Sequence, residues 1–333
     1  MITGVGKNLG FAHSVFLLGL ALLVIIGFTG WYVRLTSLDN KPTSIIESKP
    51  IEPTALKVVA IGDIVCDPGD PHLLVKQLGY CQEVATYELA AQQKPDAVLA
   101  LGDLQYEDGA LEKFKDRYEK SWGQLKSITY PAPGNHEYGT ADAVGYFSYF
   151  GSRAGESGKG YYSFDLGGWH FIALNSNCKY IGGCGEDSQQ LNWLKQDLAA
   201  NPKSCTAAFW HHPRFTSGTY STDTISRDLS KSFWEELAGS KTDLVLNGHD
   251  HIYERFAPQS PDGQANQDGP RQFTAGTGGN ILYKKKLLAA NCEEMIDDKF
   301  GILVLELYAK AYRWQFVSTD GNTLDSGYQQ CVI

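Results

Sequence analysis

The chain has 333 residues, a length that suits one large domain or two ordinary ones, and most of it has the composition of a globular protein. It carries 38 acidic and 29 basic side chains, which give a net charge of −9 with neutral histidines. An acidic chain without clusters of Lys and Arg is a poor candidate for a nucleic-acid binder, so no nucleic-acid partner is expected.

The first predicted element is an apolar segment near the start of the chain. Residues 11–33 contain no Asp, Glu, Lys or Arg, and a stretch of this length can span a bilayer. A Trp-Tyr pair lies near its end, where such aromatic side chains favour the membrane interface. Residues 1–34 are interpreted as an uncleaved membrane anchor or a cleaved signal sequence, with a buried soluble helix as the third alternative. A linker is predicted at 35–54 and a globular domain at 55–333.

Further along the chain, apolar runs alternate with segments of helical pattern, which is typical of an α/β fold. Strands are predicted at 56–63, 96–103, 127–137, 169–176, 205–212 and 243–251, and as an antiparallel pair at 302–319. Helices are predicted at 81–93, 110–120, 187–200 and 230–239. Five of the apolar runs are followed at once by Asp, Asn or His, and functional groups gather at such strand ends in open α/β sheets.

Short motifs at these strand ends carry the candidate chemistry. They are Gly62-Asp63, Gly102-Asp103 followed by Tyr106, Gly134-Asn135-His136-Glu137, His211-His212 and Gly248-His249-Asp250-His251. Each motif alone is weak evidence, because an Asp at a strand end often only caps a turn. Together they contain five of the eight histidines of the chain, and histidines beside carboxylates are typical metal ligands.

This series of motifs resembles the calcineurin-like metallophosphoesterases, and within them it is most similar to the purple acid phosphatases. The wider superfamily has His two residues after the first Asp, whereas this chain has Val65 there and carries Tyr106, as in the purple acid phosphatase pattern. The resemblance covers about residues 56–256 by motif. It implies a four-layer α/β/β/α sandwich with a central pair of mixed sheets. The apolar segment at 11–33 predicts one N-terminal transmembrane or signal helix before that sandwich.

The resemblance also implies two metal ions that share one ligand. One ion is expected on Asp63, Asp103, Tyr106 and His251, and the other on Asp103, Asn135, His211 and His249. Phenolate and carboxylate donors suit Fe(III), whereas His and amide donors suit Zn, Mn or Fe(II).

The expected activity is hydrolysis of a phosphomonoester by a hydroxide that bridges two metal ions. The substrate is expected to be a small molecule on the exoplasmic side. His136 is predicted to contact the phosphate and to aid departure of the leaving group, with Glu137 orienting its ring. His212 is a further candidate for catalysis or substrate contact. Arg214 and Arg255 are predicted either to bind phosphate or to form ion pairs near the site.

Two alternative functions stay open. A phosphodiesterase or nucleotide-directed hydrolase would use the same site, and a catalytically inactive, membrane-anchored binding protein is the more remote possibility. The complete ligand set argues against the inactive protein. Residues 215–231 lack the histidines that purple acid phosphatases often carry downstream of the H-x-P strand, which leaves the substrate contacts and the pH optimum open.

The seven cysteines bear on the compartment of the protein. Two pairs are close in sequence, and such spacing suits disulfides, which persist outside the cytoplasm. We therefore expect a membrane-anchored or secreted protein whose domain is periplasmic or extracellular. The resemblance implies the pairs Cys66–Cys81, Cys178–Cys184 and Cys205–Cys331, with Cys292 as the odd thiol. The last pair stays open, because Cys292 could replace Cys205.

Overall fold

The computed structural model describes residues 55–74 and 79–332. The predicted anchor or signal segment at 1–34 and the predicted linker at 35–54 lie outside the described residues. Within the described ranges, every helix is too short or too polar to cross a bilayer.

Two β-sheets form the centre of the described part, and helices pack on their outer faces. The strands are β1 (Leu56–Ile61), β2 (Ala97–Leu101), β3 (Thr129–Ala132), β4 (Tyr162–Leu166), β5 (Trp169–Ala173), β6 (Thr206–Phe209), β7 (Leu244–Asn247), β8 (Tyr253–Phe256), β9 (Arg271–Ala275), β10 (Cys292–Ile296), β11 (Gly301–Tyr308), β12 (Ala311–Ser318) and β13 (Thr323–Gln330). The α-helices are α1 (Glu83–Gln93), α2 (Leu111–Asp116), α3 (Val144–Phe150), α4 (Gln189–Ala200), α5 (Thr224–Leu229) and α6 (Lys231–Gly239).

Both sheets contain parallel and antiparallel strand pairs. The first has the order β13-β12-β11-β1-β2-β3, and the second has the order β10-β8-β9-β7-β6-β5-β4. In the first sheet β1, β2 and β3 run parallel, while β11 is antiparallel to β1. In the second sheet β5, β6, β7 and β9 run parallel, while β4 and β8 are antiparallel to their neighbours. The predicted pair of mixed sheets in an α/β fold is therefore confirmed.

The apolar core lies in three clusters that separate four layers. In β1, Val58 belongs to the cluster between the two sheets, and Val59 belongs to the cluster beneath α1, α2 and α3. A third cluster joins the second sheet to α4 and α6 through side chains such as Leu194 and Trp234. Because successive side chains of a strand point to opposite faces, a strand buried on both faces reads as an uninterrupted apolar run. This is why the central strands were recognisable from the sequence.

Several elements were missed by the sequence pattern. They are β4, β8, β9, β10, β13, α3 and α5. Three of them, β4, β10 and β13, are edge strands of the sheets. Edge strands bury little apolar surface and carry polar side chains, as β13 does with the sequence TLDSGYQQ, so they lack the apolar signal. The helix α3 was missed because its aromatic side chains are buried on most sides and show no helical period.

Disulfides cross-link the described part at three places. They join Cys66 to Cys81, Cys178 to Cys184 and Cys205 to Cys331. These are the pairs that the resemblance implied, and the free cysteine is Cys292 in β10. The Cys205–Cys331 bond fastens the C-terminal segment beside the start of β6.

Candidate metal centre

The carboxyl ends of strands from both sheets meet at one edge of the molecule. Asp63, Asp103 and Asn135 follow β1, β2 and β3 of the first sheet, whereas the histidine motifs follow β6 and β7 of the second. Nδ1 of His211 lies 2.9 Å from the carbonyl oxygen of Leu101 at the end of β2, which links the two sheets directly. Because a carbonyl oxygen can only accept, Nδ1 carries the proton and Nε2 of this ring faces the other candidate ligands.

Close approach of these loops depends on glycine. Gly102 has a φ of +89°, and a Cβ atom there would lie 2.6 Å from Nδ1 of His211. A Cβ atom on Gly134 would lie 2.1 Å from Oδ1 of Asp103. Any other residue at these two positions would push the ligands apart.

Three candidate ligands have left-handed backbone conformations. The φ angles are 61° at Asp63, 51° at Asp103 and 70° at His249. This conformation costs roughly 1–2 kcal/mol for a residue with a side chain, and such strain clusters at functional sites. Here it turns each ligand sharply out of its strand and towards the others.

The first donor set consists of Asp63, Tyr106 and His251. Oη of Tyr106 lies 3.1 Å from Oδ1 of Asp63 and 3.0 Å from Nε2 of His251. The remaining distance, between Nε2 of His251 and Oδ1 of Asp63, is 3.2 Å. Donors that bind one ion at about 2.0–2.2 Å stand about 3 Å apart when they approach it at right angles, so this spacing fits a single metal ion.

The second donor set surrounds Nε2 of His211. This nitrogen lies 3.1 Å from Oδ2 of Asp103, 3.1 Å from Oδ1 of Asn135 and 3.1 Å from Nδ1 of His249. These atoms offer electron pairs, so a proton or a metal cation is required between them. Oδ2 of Asp103 also lies 3.4 Å from Oη of Tyr106, so one oxygen atom belongs to both donor sets.

The charges of the cluster agree with a cation site. Burial lowers the pKa of His211, but Asp103 outweighs it and raises the pKa to about 9, so without a metal ion a proton is held there. Burial raises the pKa of Tyr106 well above its usual range, and Asp63 and Asp103 raise it further. A phenolate at Tyr106 therefore requires a strong positive charge beside it. Burial also holds the pKa of His249 well below its usual range, which keeps this ring neutral and able to bind a metal ion.

Backbone groups orient the carboxylates and rings. The N–H of His249 donates to Oδ2 of Asp63 at 2.8 Å, and the N–H of His136 donates to Oδ1 of Asp103 at 2.8 Å. The other oxygen of each carboxylate therefore remains available to bind a metal ion. Nδ1 of His251 lies 2.6 Å from the carbonyl oxygen of Ile281, which directs Nε2 inward. Such outer contacts hold metal ligands in their binding orientation.

Glu137 does not orient His136, and that part of the prediction is wrong. Its fully buried carboxylate accepts the N–H groups of Asp103 at 2.9 Å and Gly134 at 2.7 Å. Burial and the charge of Asp103 raise the pKa of Glu137 to about 7. The reason for this placement is that buried N–H groups of two adjoining loops need an acceptor. The ring of His136 is positioned by the carbonyl oxygen of Glu107 instead, which lies 2.5 Å from Nδ1.

His136 and His212 both lie beside the two donor sets. Nε2 of His136 is 3.9 Å from Oδ2 of Asp103, and its side chain is 26% exposed. His212 is buried, with Nδ1 2.7 Å from Oγ of Ser176 and a ring centroid 4.4 Å from that of His249. The structure therefore brings both predicted catalytic histidines to the centre.

Arg214 and Arg255 are engaged elsewhere. Nη1 of Arg214 lies 2.7 Å from Oδ1 of Asp228, and Nε of Arg255 lies 2.8 Å from Oδ2 of Asp325. Among the described residues, no contact joins either guanidinium to a predicted metal ligand. The predicted ion pairs are therefore present for both side chains, and their contact with phosphate stays a prediction.

Sequence reasoning missed two tyrosines that cover one side of the centre. The ring of Tyr220 stacks on His249 with centroids 3.9 Å apart, and the ring of Tyr283 stacks on His251 at 4.0 Å. We call Tyr220 and Tyr283 the tyrosine wall. Tyr220 lies in a short 3-10 helix (Thr219–Thr222) and Tyr283 lies in an irregular segment. Neither segment has an apolar period, so a single sequence holds no signal that points to them.

The part of the centre at Asn135 is open. Asn135 is exposed, whereas the other six predicted ligands are buried. A cavity of about 360 Å³ adjoins it, lined by Asn135, Ser176, Asn177, Cys178, Lys179, Tyr180, His212 and Leu229. A larger cavity of about 630 Å³ lies by α4 and α6 and contains none of the predicted ligands, so the smaller one is relevant to the chemistry.

The chain matches a known family model and curated relatives. The calcineurin-like phosphoesterase model matches residues 56–253. Purple acid phosphatase 15 of Arabidopsis thaliana is 31% identical over an alignment of 222 residues that covers 56% of this chain and 40% of that protein. Purple acid phosphatase 23 of the same plant is 33% identical over an alignment of 187 residues that covers 51% of this chain and 39% of that protein. The chain thus spans about two fifths of the length of these relatives.

Solved structures share the fold. A purple acid phosphatase from yellow lupin seeds superposes with a TM-score of 0.64 at 18% identity, covering 83% of this chain and 54% of that chain. A dimetal phosphatase from Danio rerio superposes with a TM-score of 0.54 at 13% identity, covering 84% of this chain and 100% of that chain. At such identities the likeness concerns the fold alone.

Proposed function

Because the chain belongs to the calcineurin-like phosphoesterase family, we propose that it hydrolyses phosphomonoesters at a centre of two metal ions. The observation that carries the proposal is the shared oxygen of the two donor sets. Oδ2 of Asp103 lies 3.1 Å from Nε2 of His211 and 3.4 Å from Oη of Tyr106. An oxygen in this position is suited to bridge two cations.

The two donor sets suit ions of different character. Tyr106 and Asp63 supply hard anionic oxygens, which favour Fe(III), and His251 completes their set. His211, His249 and the amide oxygen of Asn135 favour a divalent ion such as Zn, Mn or Fe(II). When bound, such a pair polarises phosphoryl oxygens and lowers the pKa of a bound water, which supplies the nucleophile.

Two histidines would act on the substrate. Oγ of Ser176 accepts the backbone N–H of His212 at 3.1 Å, so its own proton is available to Nδ1 of the ring. The ring proton of His212 then resides on Nε2 and can be donated to a phosphoryl oxygen. Nδ1 of His136 faces the carbonyl oxygen of Glu107, which accepts its proton in a hydrogen bond, so the ring would protonate the leaving oxygen from Nε2 in its imidazolium form.

The disulfides support the proposed compartment. Three of them are present in the described residues, and such bonds persist in oxidising surroundings. We therefore assign the substrate to the exoplasmic side, periplasmic or extracellular. The residues at 1–34 would attach the domain to the membrane or direct its secretion.

Metal analysis of the purified full-length chain tests the centre. We expect about two metal ions per chain and a visible charge-transfer band from Tyr106 on Fe(III), which Tyr106→Phe abolishes. A colourless, active protein that contains only divalent ions would contradict Fe(III). A protein that stays metal-free and inactive after supplementation with iron, zinc and manganese would instead support the inactive binding protein.

A substrate panel tests the reaction. We expect higher kcat/KM for aryl phosphomonoesters than for bis-aryl phosphodiesters, measured on one metal-loaded preparation. The reverse order would replace the proposal by the phosphodiesterase alternative. Asp268→Asn, which changes an exposed carboxylate away from the centre, is the matched control for general effects of substitution.

A further inference from the structure

A disulfide-closed loop borders the cavity on the open side of the centre. The loop spans residues 177–184 and is closed by the bond between Cys178 and Cys184. Nδ2 of Asn177 donates to the carbonyl oxygen of Pro133 at 3.1 Å, which ties the loop to the segment that carries Asn135. The loop is therefore held in a defined position beside a predicted metal ligand before any substrate arrives.

Tyr180 presents a supported aromatic ring at this loop. Its side chain is 42% exposed, yet its ring stacks on Tyr138 with centroids 4.3 Å apart and an interplanar angle of 11°. Tyr138 is itself buried, and its hydroxyl accepts a hydrogen bond from Nδ2 of Asn175 at 2.8 Å. An exposed ring that is fixed by a buried one suits recognition of an apolar ligand at little entropic cost.

The polar side chains of the cavity are already engaged within the protein. Oγ of Ser176 bonds to His212, and Nδ2 of Asn177 bonds to Pro133 and also to Oδ1 of Asn175 at 3.0 Å. The remaining lining residues are Asn135, Cys178, Lys179, Tyr180, His212 and Leu229, and Nζ of Lys179 lies 4.6 Å from the centroid of the Tyr180 ring. A leaving group rich in hydroxyls would find few partners there, because unpaired polar groups are costly to bury.

The position of the cavity matches a substrate whose phosphoryl group binds at the centre. Asn135 and His212 are among its lining residues, so a phosphoryl group bound there would place its ester substituent in the cavity. The volume of about 360 Å³ lies at the small end of the roughly 300–1,000 Å³ usual for ligand pockets. Such a space accommodates one or two fused rings.

We propose that this cavity is the leaving-group subsite and selects phosphomonoesters whose leaving group is an apolar ring. The inference rests on the proposed function and adds its substrate class. Tyr180 and Leu229 are the specificity-determining residues. They act on substrate binding and take no part in the chemical step.

Three monoesters test the subsite: 1-naphthyl phosphate, phenyl phosphate and glycerol 2-phosphate. The two aryl esters have leaving groups of similar acidity, so a difference between them reports on contact with the leaving group. We expect KM to be at least about fivefold lower for the naphthyl ester, because its second ring buries more apolar surface. Equal KM values for the two aryl esters would overturn the inference.

Variants then test which residues contact the leaving group of the substrate. Tyr180→Ala and, independently, Leu229→Ser should raise KM for 1-naphthyl phosphate about threefold to tenfold, with kcat and the KM for glycerol 2-phosphate unchanged. Tyr180→Phe keeps the ring and should behave like wild type. Tyr328→Ala, at a tyrosine that is 49% exposed on β13, is the matched control and should change nothing. Parallel changes in KM for all three esters in Tyr180→Ala and Leu229→Ser would show a general structural role and refute the assignment.

A binding measurement separates this inference from the proposed function. Calorimetric titration with 1-naphthylmethylphosphonate, which cannot be hydrolysed at its C–P bond, should show about threefold to tenfold weaker binding in Tyr180→Ala. Failure of wild type to hydrolyse any ester would defeat the proposed function, whereas unchanged phosphonate binding in the variant would defeat the subsite.

Discussion

The closed and open sides of the candidate centre differ in how the protein covers them. On the closed side, the tyrosine wall stacks on the two ligand histidines of the last motif at 3.9 and 4.0 Å. On the open side, Asn135 is exposed beside a cavity of about 360 Å³. Ring stacking restricts how ligands can move, whereas an open cavity admits a substrate. We infer that changes on the closed side affect metal retention and that changes on the open side affect substrate binding.

The largest effect is expected at Asp103, which both donor sets share. Asp103→Asn keeps the shape but removes the charge that would hold two cations together. Since each ion contributes several kcal/mol and 1.36 kcal/mol equals a factor of ten, we expect kcat to fall about 10³-fold or more. Elemental analysis should show about one metal ion or fewer per chain. Full activity with two ions in this variant would contradict the bridging role.

A smaller effect is expected at Tyr283 on the closed side. Tyr283→Ala removes the ring that stacks on His251, and loss of such outer support costs about tenfold or more in metal affinity. Tyr283→Phe, the control, keeps the ring and should retain the metal. Competition with a chelator measures the affinity, and KM should stay constant in fully loaded protein. A raised KM with unchanged metal affinity would show that Tyr283 acts on substrate binding, and it would contradict the division of the centre into a side that retains metal and a side that binds substrate.

The smallest effect is expected far from both sides, at His170 in β5. Its ring nitrogens lie 2.8 Å from Oδ1 of Asp165 and 2.8 Å from Oδ2 of Asp197. Burial lowers the pKa of His170, but the two carboxylates outweigh it and the pKa is raised. A raised pKa in the folded state stabilises the fold fully below about pH 6.5, and this contribution is lost as the pH rises through the folded pKa.

His170→Gln therefore tests a pH response that is independent of the centre. The difference in Tm between wild type and His170→Gln should shrink as the pH rises from about 5 to about 9, with or without metal. A difference that grows with pH would show that the pKa of His170 is not raised. A difference that depends on metal loading would show that the two ends of the sheet are coupled.

Local chemistry explains why much of the candidate site was readable from the sequence. A buried strand gives an apolar run, and a polar residue directly after such a run stands out, as Asp63 and His211 do. Glycine beside each ligand is also visible, since loops approach closely there. The resemblance then supplied the grouping of these residues into two donor sets, which the distances around Asp103 fit.

Side-chain roles that depend on neighbours in space were not readable. Glu137 follows His136 in sequence, yet its carboxylate accepts N–H groups of a loop that precedes it by more than 30 residues. The tyrosine wall comes from segments that share no period or motif. Edge strands such as β13 were missed for a related reason, because their few buried side chains produce little contrast in hydropathy.

The order of residues along the chain determined the buried strands, the polar groups at their ends and the family resemblance, because each of these depends on neighbours within a few positions. The tertiary structure alone decided that Glu137 accepts the N–H groups of a distant loop, that Tyr220 and Tyr283 cover part of the centre, and that the loop at 177–184 borders its cavity. These features arise when packing of the apolar clusters brings distant segments together, and no local pattern encodes such contacts.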